Sequence, residues 1–207
     1  MKLLHRPRPG SHVGAHASSG GITALQSILA TVGIALLGIT AASAHVTIEP
    51  QQAMVGSAYR AVVIVPHGCA GSPTLKLRVQ IPNGVIAVKP QPKAGWTLET
   101  VSGKYGQTFD YFGTPISEGV KEIAWSGRLL DENYDEFIFR AYLTSDLQPG
   151  TKLYVRIVQE CEKGVSRWIE VPTNDTSSDA FKFPAPAVQL IPRSDVPAVQ
   201  RPSPGAR

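Results

Sequence analysis

The chain has 207 residues, with 20 Lys and Arg against 16 Asp and Glu. Three of the basic residues and none of the acids precede residue 45, so the following 207 minus 44, or 163, residues carry a net charge of only +1. The basic character belongs to the first segment and does not support nucleic-acid binding. After Ala44 no apolar run approaches the roughly 20 residues that a membrane-spanning helix needs.

Residues 1–44 have the composition of a secretory signal peptide. Three basic residues and no acid come first, an uncharged apolar run covers 28–39, and Ala42-Ser43-Ala44 supplies the small-residue pattern of a cleavage site. Cleavage after Ala44 would make His45 the first residue of the mature protein. The sequence therefore predicts a periplasmic or secreted protein.

An N-terminal histidine differs chemically from one inside a chain. Its α-amine and imidazole Nδ1 can close a six-membered ring around a metal ion. The mature chain would keep only two of the five histidines, His45 and His67. The alternative is that histidine stands first by chance and has no chemical role.

The two cysteines, Cys69 and Cys161, both lie in the exported part. An even pair in an oxidising compartment predicts a disulfide. The alternative is a pair of thiolate ligands, which would need a reducing site or copper(I).

From Val46 onward, short β-prone runs alternate with Pro and Gly. The clearest are Thr74–Ile81 and Glu136–Thr144, where apolar and polar residues alternate as in a half-buried strand. Other candidate strands lie at 54–65, 85–88, 96–101, 107–111, 120–125, 152–161 and 167–171. Without any sustained helical period, this pattern predicts an all-β, immunoglobulin-like antiparallel β-sandwich over residues 45–183. A closed barrel is the alternative fold.

Residues 184–207 contain six prolines and no aromatic residue. Such a composition buries too little apolar area to offset the entropy of ordering the chain. The sequence therefore predicts a Pro-rich flexible tail.

The motifs of common enzymes are absent, which favours binding over catalysis. The chain has no phosphate-binding Gly-rich loop, Cys-x-x-Cys, His-Glu-x-x-His or Gly-x-Ser-x-Gly sequence. Nitrogen donors from His45 together with a carboxylate would suit copper(II). Glu136, at the start of a predicted strand, is the candidate carboxylate, and Asp131, Glu132 and Asp135 are its neighbours. Glu136 could equally be an ordinary solvated acid at a strand edge.

Several segments together resemble the YcnI-like copper-binding domain family. They are the histidine after the leader, Trp125-Ser126-Gly127, Tyr134-Asp135-Glu136-Phe137, the 65–74 stretch and Pro92-Lys93-Ala94-Gly95-Trp96. The resemblance runs from about His45 to Leu190. Arg128 departs from it, since many members of the family have a second glycine there.

This resemblance implies a β-sandwich that binds copper(II) through a single-histidine brace. His45 would supply amine and imidazole, Glu136 the carboxylate, and Trp125 would lie near the metal. His67 is a candidate auxiliary ligand. The implied function is copper buffering or delivery, as a metallochaperone, to a membrane copper transporter or a cuproenzyme assembly factor. The alternatives are a copper-dependent oxidase or monooxygenase, which would need His67 as second histidine, and a metal-free extracellular interaction domain.

Overall fold

The short β-prone runs form twelve strands in the computed structural model, which describes residues 45–173 and 180–193. Their bounds are β1 Thr47–Glu49, β2 Gln52–Met54, β3 Ser57–Val65, β4 Thr74–Gln80, β5 Val85–Pro90, β6 Thr97–Tyr111, β7 Thr114–Leu129, β8 Asp135–Leu143, β9 Lys152–Tyr154, β10 Ile157–Cys161, β11 Val165–Trp168 and β12 Ala187–Ile191. Within the described ranges, no helix is long and apolar enough to cross a membrane.

The strands form three sheets. The first has the order β1-β3-β8-β5, the second β11-β10-β4-β7-β6, and a small third sheet has the order β2-β12-β9. All pairs are antiparallel except β2 with β12, which is parallel. The predicted antiparallel sandwich is confirmed by the two large sheets, and the parallel pair belongs to the small third sheet. A parallel neighbour needs a long connection, and here nearly the whole domain lies between the two strands.

The hydrophobic core lies between the first two sheets, as a sandwich requires. Phe137, Phe139, Ala141 and Leu143 alternate inward along β8 and are all buried. Leu77 and Val79 of β4, with Trp125 of β7, join the same core cluster from the opposite sheet. The alternation read from the sequence therefore predicted the inward faces of β4 and β8 correctly.

The end of the domain lies beyond the predicted boundary at residue 183. The chain continues as β12, the middle strand of the third sheet, with Val188 and Leu190 buried. The prediction of a flexible tail from residue 184 was wrong for this segment. Its prolines flank the strand rather than interrupt it, so they remove no ladder hydrogen bond. Residues 194–207 lie outside the described ranges, as does the predicted signal peptide.

A disulfide joins Cys69 to Cys161, with their Cα atoms 5.9 Å apart, and confirms the predicted pairing. Cys69 lies in the loop after β3, and Cys161 ends β10. The bond therefore joins the loop that follows β3 of the first sheet to β10 of the second sheet. No described cysteine is left as a free thiol.

The far end of β1 is fixed by a buried tyrosine. The Tyr59 hydroxyl donates a hydrogen bond of 2.7 Å to the carbonyl oxygen of Pro50. Burial raises the pKa of Tyr59 well above its usual range, and the nearby charge of Glu49 adds to the rise. This contact holds the turn that leads from β1 to β2, and so helps to fix the strand that begins just after His45.

Candidate metal site

His45 stands two residues before β1 and is half-buried. Val46, which follows it, is buried in the core, so the position of the chain is fixed from that residue onward. The His45 ring meets the ring of Trp168 edge-on, with centroids 5.5 Å apart. Because β1 and β11 are edge strands of the two facing sheets, this contact places the His45 ring at one open edge of the sandwich.

Glu136 is the second residue of β8 and is also half-buried. It pairs in register with Ile64 of β3, and Ile64 pairs with Thr47 of β1. Neighbouring strands lie about 4.8 Å apart, so the backbones of Thr47 and Glu136 are about 10 Å apart. Since His45 lies just before Thr47, the topology brings both predicted ligands to the same end of one sheet.

The acids around Glu136 have different surroundings. Asp135 forms an ion pair of 2.6 Å with the Lys93 Nζ, which also donates to the backbone carbonyl of Glu136. The Asp131 carboxylate lies close to Gly68, since a Cβ added to that glycine would stand 2.9 Å from one of the carboxylate oxygens. The Glu136 carboxylate forms no ion pair within the described residues.

An open cleft of about 530 Å³ lies beside Glu136. Gln91, Pro92, Lys93 and Ala94 form one wall, and the start of β8 forms the other. The cleft is polar and broad, so it gives an ion or a partner's side chain access to the carboxylate.

Trp125, predicted to lie near the metal, is fully buried in the core. Its ring packs against Phe137, the residue after Glu136, with centroids 5.5 Å apart. Its Nε1–H donates a 3.1 Å hydrogen bond to the carbonyl oxygen of Gln91. Trp125 therefore supports both sides of the cleft from within: it packs under β8 and holds the Gln91 segment.

His67 lies in the loop after β3, near the disulfide. Its backbone carbonyl accepts a 2.7 Å hydrogen bond from Gln159 Nε2, and its ring Nδ1 is close to the carbonyl of Gly68. Within the described residues, no group of three or more His, Cys, Asp and Glu side chains is arranged to hold a metal. The predicted donor set contains only two side chains, His45 and Glu136, together with an amine that exists only after cleavage.

Gln159 and Trp168 were missed by the sequence analysis. Gln159 is buried. Its side-chain Nε2 donates hydrogen bonds to the backbone carbonyl of His67 and to the Thr74 hydroxyl. Its Oε1 accepts a hydrogen bond of 3.0 Å from the indole N–H of Trp168. Because Trp168 touches His45, one buried network connects the neighbourhoods of both histidines. The signal was present as a polar residue at position 159, which by alternation shares the inward face of β10 with Ile157 and Cys161.

Gly127 of β7 allows the Trp96 ring to pack closely against the strand. A Cβ at this position would stand 2.4 Å from Trp96, whose ring packs edge-on against Phe137 at 4.8 Å. We expect Gly127→Ala to destabilise the fold by about 1–3 kcal/mol, because the indole must move from a packed position. Denaturant unfolding measures this loss.

The matched control for Gly127→Ala is Gly106→Ala, also in the β6–β7 pair, where an added Cβ would meet nothing within 4 Å. That variant should unfold like the wild type. Equal losses in the two variants would show that close packing under Trp96 is not the reason for a glycine at position 127.

Comparisons with known proteins identify a family and a fold. The family model described as "Domain of unknown function (DUF1775)" matches residues 45–190. A crystal structure of an uncharacterized protein from Nocardia farcinica, described as revealing an immunoglobulin-like fold, superposes with a TM-score of 0.52. It is 18% identical and covers 71% of this chain and 98% of its own. This likeness confirms the predicted fold class. No curated protein matches.

Proposed function

The chain belongs to the DUF1775 family, and since the family segment begins at the residue that cleavage would expose, we propose that it is an exported copper(II)-binding protein. Its brace would consist of the α-amine and imidazole of His45, with the Glu136 carboxylate as the third donor. The coincidence of the domain start with a histidine after Ala42-Ser43-Ala44 is the observation that carries the proposal.

The chemistry of the donors selects the metal. Amine and imidazole nitrogens with a carboxylate oxygen suit the tetragonal N,O geometry of copper(II). Copper(I) prefers thiolate and thioether ligands, and the two cysteines are joined to each other. A disulfide is also the state expected of cysteines in an exported protein.

The position of Glu136 supports its role as the carboxylate. It shares one end of the first sheet with His45, and Lys93 neutralises Asp135 rather than Glu136. A negative charge that balances the dication strengthens binding. The open cleft beside it leaves room for a partner to approach the metal.

We assign the site to binding rather than catalysis, because the proposed donor set contains only one histidine. The metal would be cargo, buffered or passed to a membrane copper transporter or a cuproenzyme assembly factor. An open site at the edge of a rigid sandwich suits such transfer, since a partner's ligands can replace those of this chain one at a time.

Glu136→Gln tests the carboxylate. We expect the processed protein starting at His45 to lose roughly tenfold or more in copper(II) affinity, because the amide keeps the shape but removes the charge. Isothermal titration with copper(II) measures the affinity, and circular dichroism checks the fold. Glu132→Gln makes the same change at an exposed loop acid and should leave the affinity unchanged. Equal affinities in the wild type and Glu136→Gln would return Glu136 to the role of an edge acid.

A further inference from the structure

A row of three cations crosses the outer face of the first sheet. Arg60 of β3 pairs in register with Arg140 of β8, and Arg140 pairs with Lys89 of β5. All three are exposed, and within the described residues none forms an ion pair. Like charges directly opposite each other on neighbouring strands destabilise a sheet. The stability of the fold therefore does not explain this row.

The β6–β7 hairpin brings aromatic side chains to the same face. Its tip reaches β8, where Tyr111 and Phe112 pack against Tyr142 with ring centroids 5.4 and 5.3 Å apart. Phe112 is 77% exposed although it is a large apolar residue. Asp110, the acid nearest the tip in sequence, accepts a hydrogen bond from the Gly113 amide inside the turn. The tip thus presents mainly apolar surface beside the cationic row.

A pocket of about 220 Å³ lies between the aromatic and cationic groups. Small residues, including Ala58 and Ala87, line part of the pocket. Its larger lining residues are Lys89, Arg140, Tyr111, Phe112 and Tyr142. Small-molecule sites usually have volumes of about 300–1,000 Å³. This pocket is smaller, and it has room for one large side chain of a partner.

Two of the residues around this pocket have unfavourable backbone conformations. Ala87 and Phe112 have φ values of 51° and 52°, in the left-handed region that residues with a Cβ rarely adopt. With Gly113 at φ 84°, Phe112 forms a two-residue hairpin turn, a position where Asn is strongly preferred. Such strain collects at functional sites. Both residues line the same pocket.

We propose that these six residues (Arg60, Lys89, Arg140, Tyr111, Phe112 and Tyr142) form a docking site for an acidic segment of a partner protein. One aromatic or aliphatic side chain of the segment would enter the pocket, and flanking carboxylates would pair with the cationic row. A concave pocket fits a side chain better than a flat lipid surface does. This inference does not depend on metal binding, and its test uses the metal-free protein.

The probe is a fluorescein-labelled peptide with one Phe flanked by Asp and Glu, measured by fluorescence anisotropy. We expect saturable binding that weakens as salt rises, because screening reduces the attraction between exposed charges. The same peptide with Lys in place of the acids should not bind. The version with Phe replaced by Ser should bind roughly tenfold or more weakly, since the pocket anchor is lost.

Two variants of the protein should weaken binding while stabilising the fold. Arg140→Glu places a carboxylate between Arg60 and Lys89, which removes the repulsion but should weaken peptide binding by roughly tenfold or more. Phe112→Asn supplies the residue that the turn prefers. It also removes the aromatic ring that would contact the peptide's Phe in the pocket. Both should melt at or above the wild-type temperature. Arg167→Glu, at an exposed cation of β11, should leave binding unchanged.

Three results would overturn the proposal. They are the absence of saturable binding by the acidic peptide, equal binding of the acidic and Lys peptides, and full binding by Arg140→Glu. Vesicles containing phosphatidylglycerol provide the remaining comparison. If the wild-type protein binds these vesicles, Arg140→Glu does not, and the peptide fails to bind, the face would be assigned to an anionic membrane instead.

Discussion

Acetylation of the His45 α-amine in the processed protein should lower the copper(II) affinity by on the order of 100-fold or more, because it removes the amine as a donor. In the processed protein the amine and imidazole belong to one residue, so binding of one nitrogen brings the other to the metal at little further entropic cost. After acetylation, the backbone nitrogen of His45 is an amide. Titration with copper(II) of the two versions, each verified by intact mass, measures the difference.

The pH dependence gives an independent sign of the same amine. Free α-amines have pKa values of about 7.7–8.0, so a proton competes with copper for the amine at neutral pH. The affinity of the processed protein should therefore rise between pH 6.5 and 8, and the acetylated version should lose that part of the rise. Matching circular dichroism spectra would rule out misfolding. Equal affinities with the same pH slope would show that the brace does not form.

Removing the disulfide should cause the largest loss of stability. The bonded cysteines are 92 residues apart, and the chain-entropy model assigns a loop of that length up to about 4–5 kcal/mol. For a domain of this size such a loss lowers the melting temperature by roughly 10–20 °C. We expect this result for the double variant Cys69→Ala/Cys161→Ala, which avoids leaving a single reactive thiol.

The same double variant separates the structural role of the cysteines from a metal-binding one. At a temperature where it remains folded, it should bind copper(II) as the processed wild type does. A variant that melts normally but no longer binds copper would show instead that the sulfur atoms act as ligands.

The regular part of the fold could be predicted from the sequence because burial imposes a period of two. Along β8, Phe137 and Phe139 alternate with Glu136 and Ile138, and the inward pair is buried. The pairing of two cysteines also followed from their number. Both predictions depend on a strong local or compositional constraint.

Features that depend on distant partners were not predictable in the same way. The outer half of the β6–β7 hairpin is largely exposed on both faces, so no alternation shows that it forms two continuous strands. Trp168 becomes a neighbour of His45 only because β11 and β1 lie at facing edges of the two sheets. The resemblance placed Trp125 near the metal, which stays a prediction, but only the fold shows its buried contacts with Phe137 and Gln91.

The parallel pairing of β2 with β12 has a consequence for synthesis and export. β12 is the middle strand of its sheet, so the sheet cannot assemble until residues near 191 have left the ribosome. Pairings between residues so distant in sequence form slowly, because loop-closure entropy must be overcome first. A growing chain therefore lacks the middle strand of this sheet until the other described strands have been made. If the leader directs export from the N-terminus, the strands before β12 would cross the membrane while the third sheet is still open.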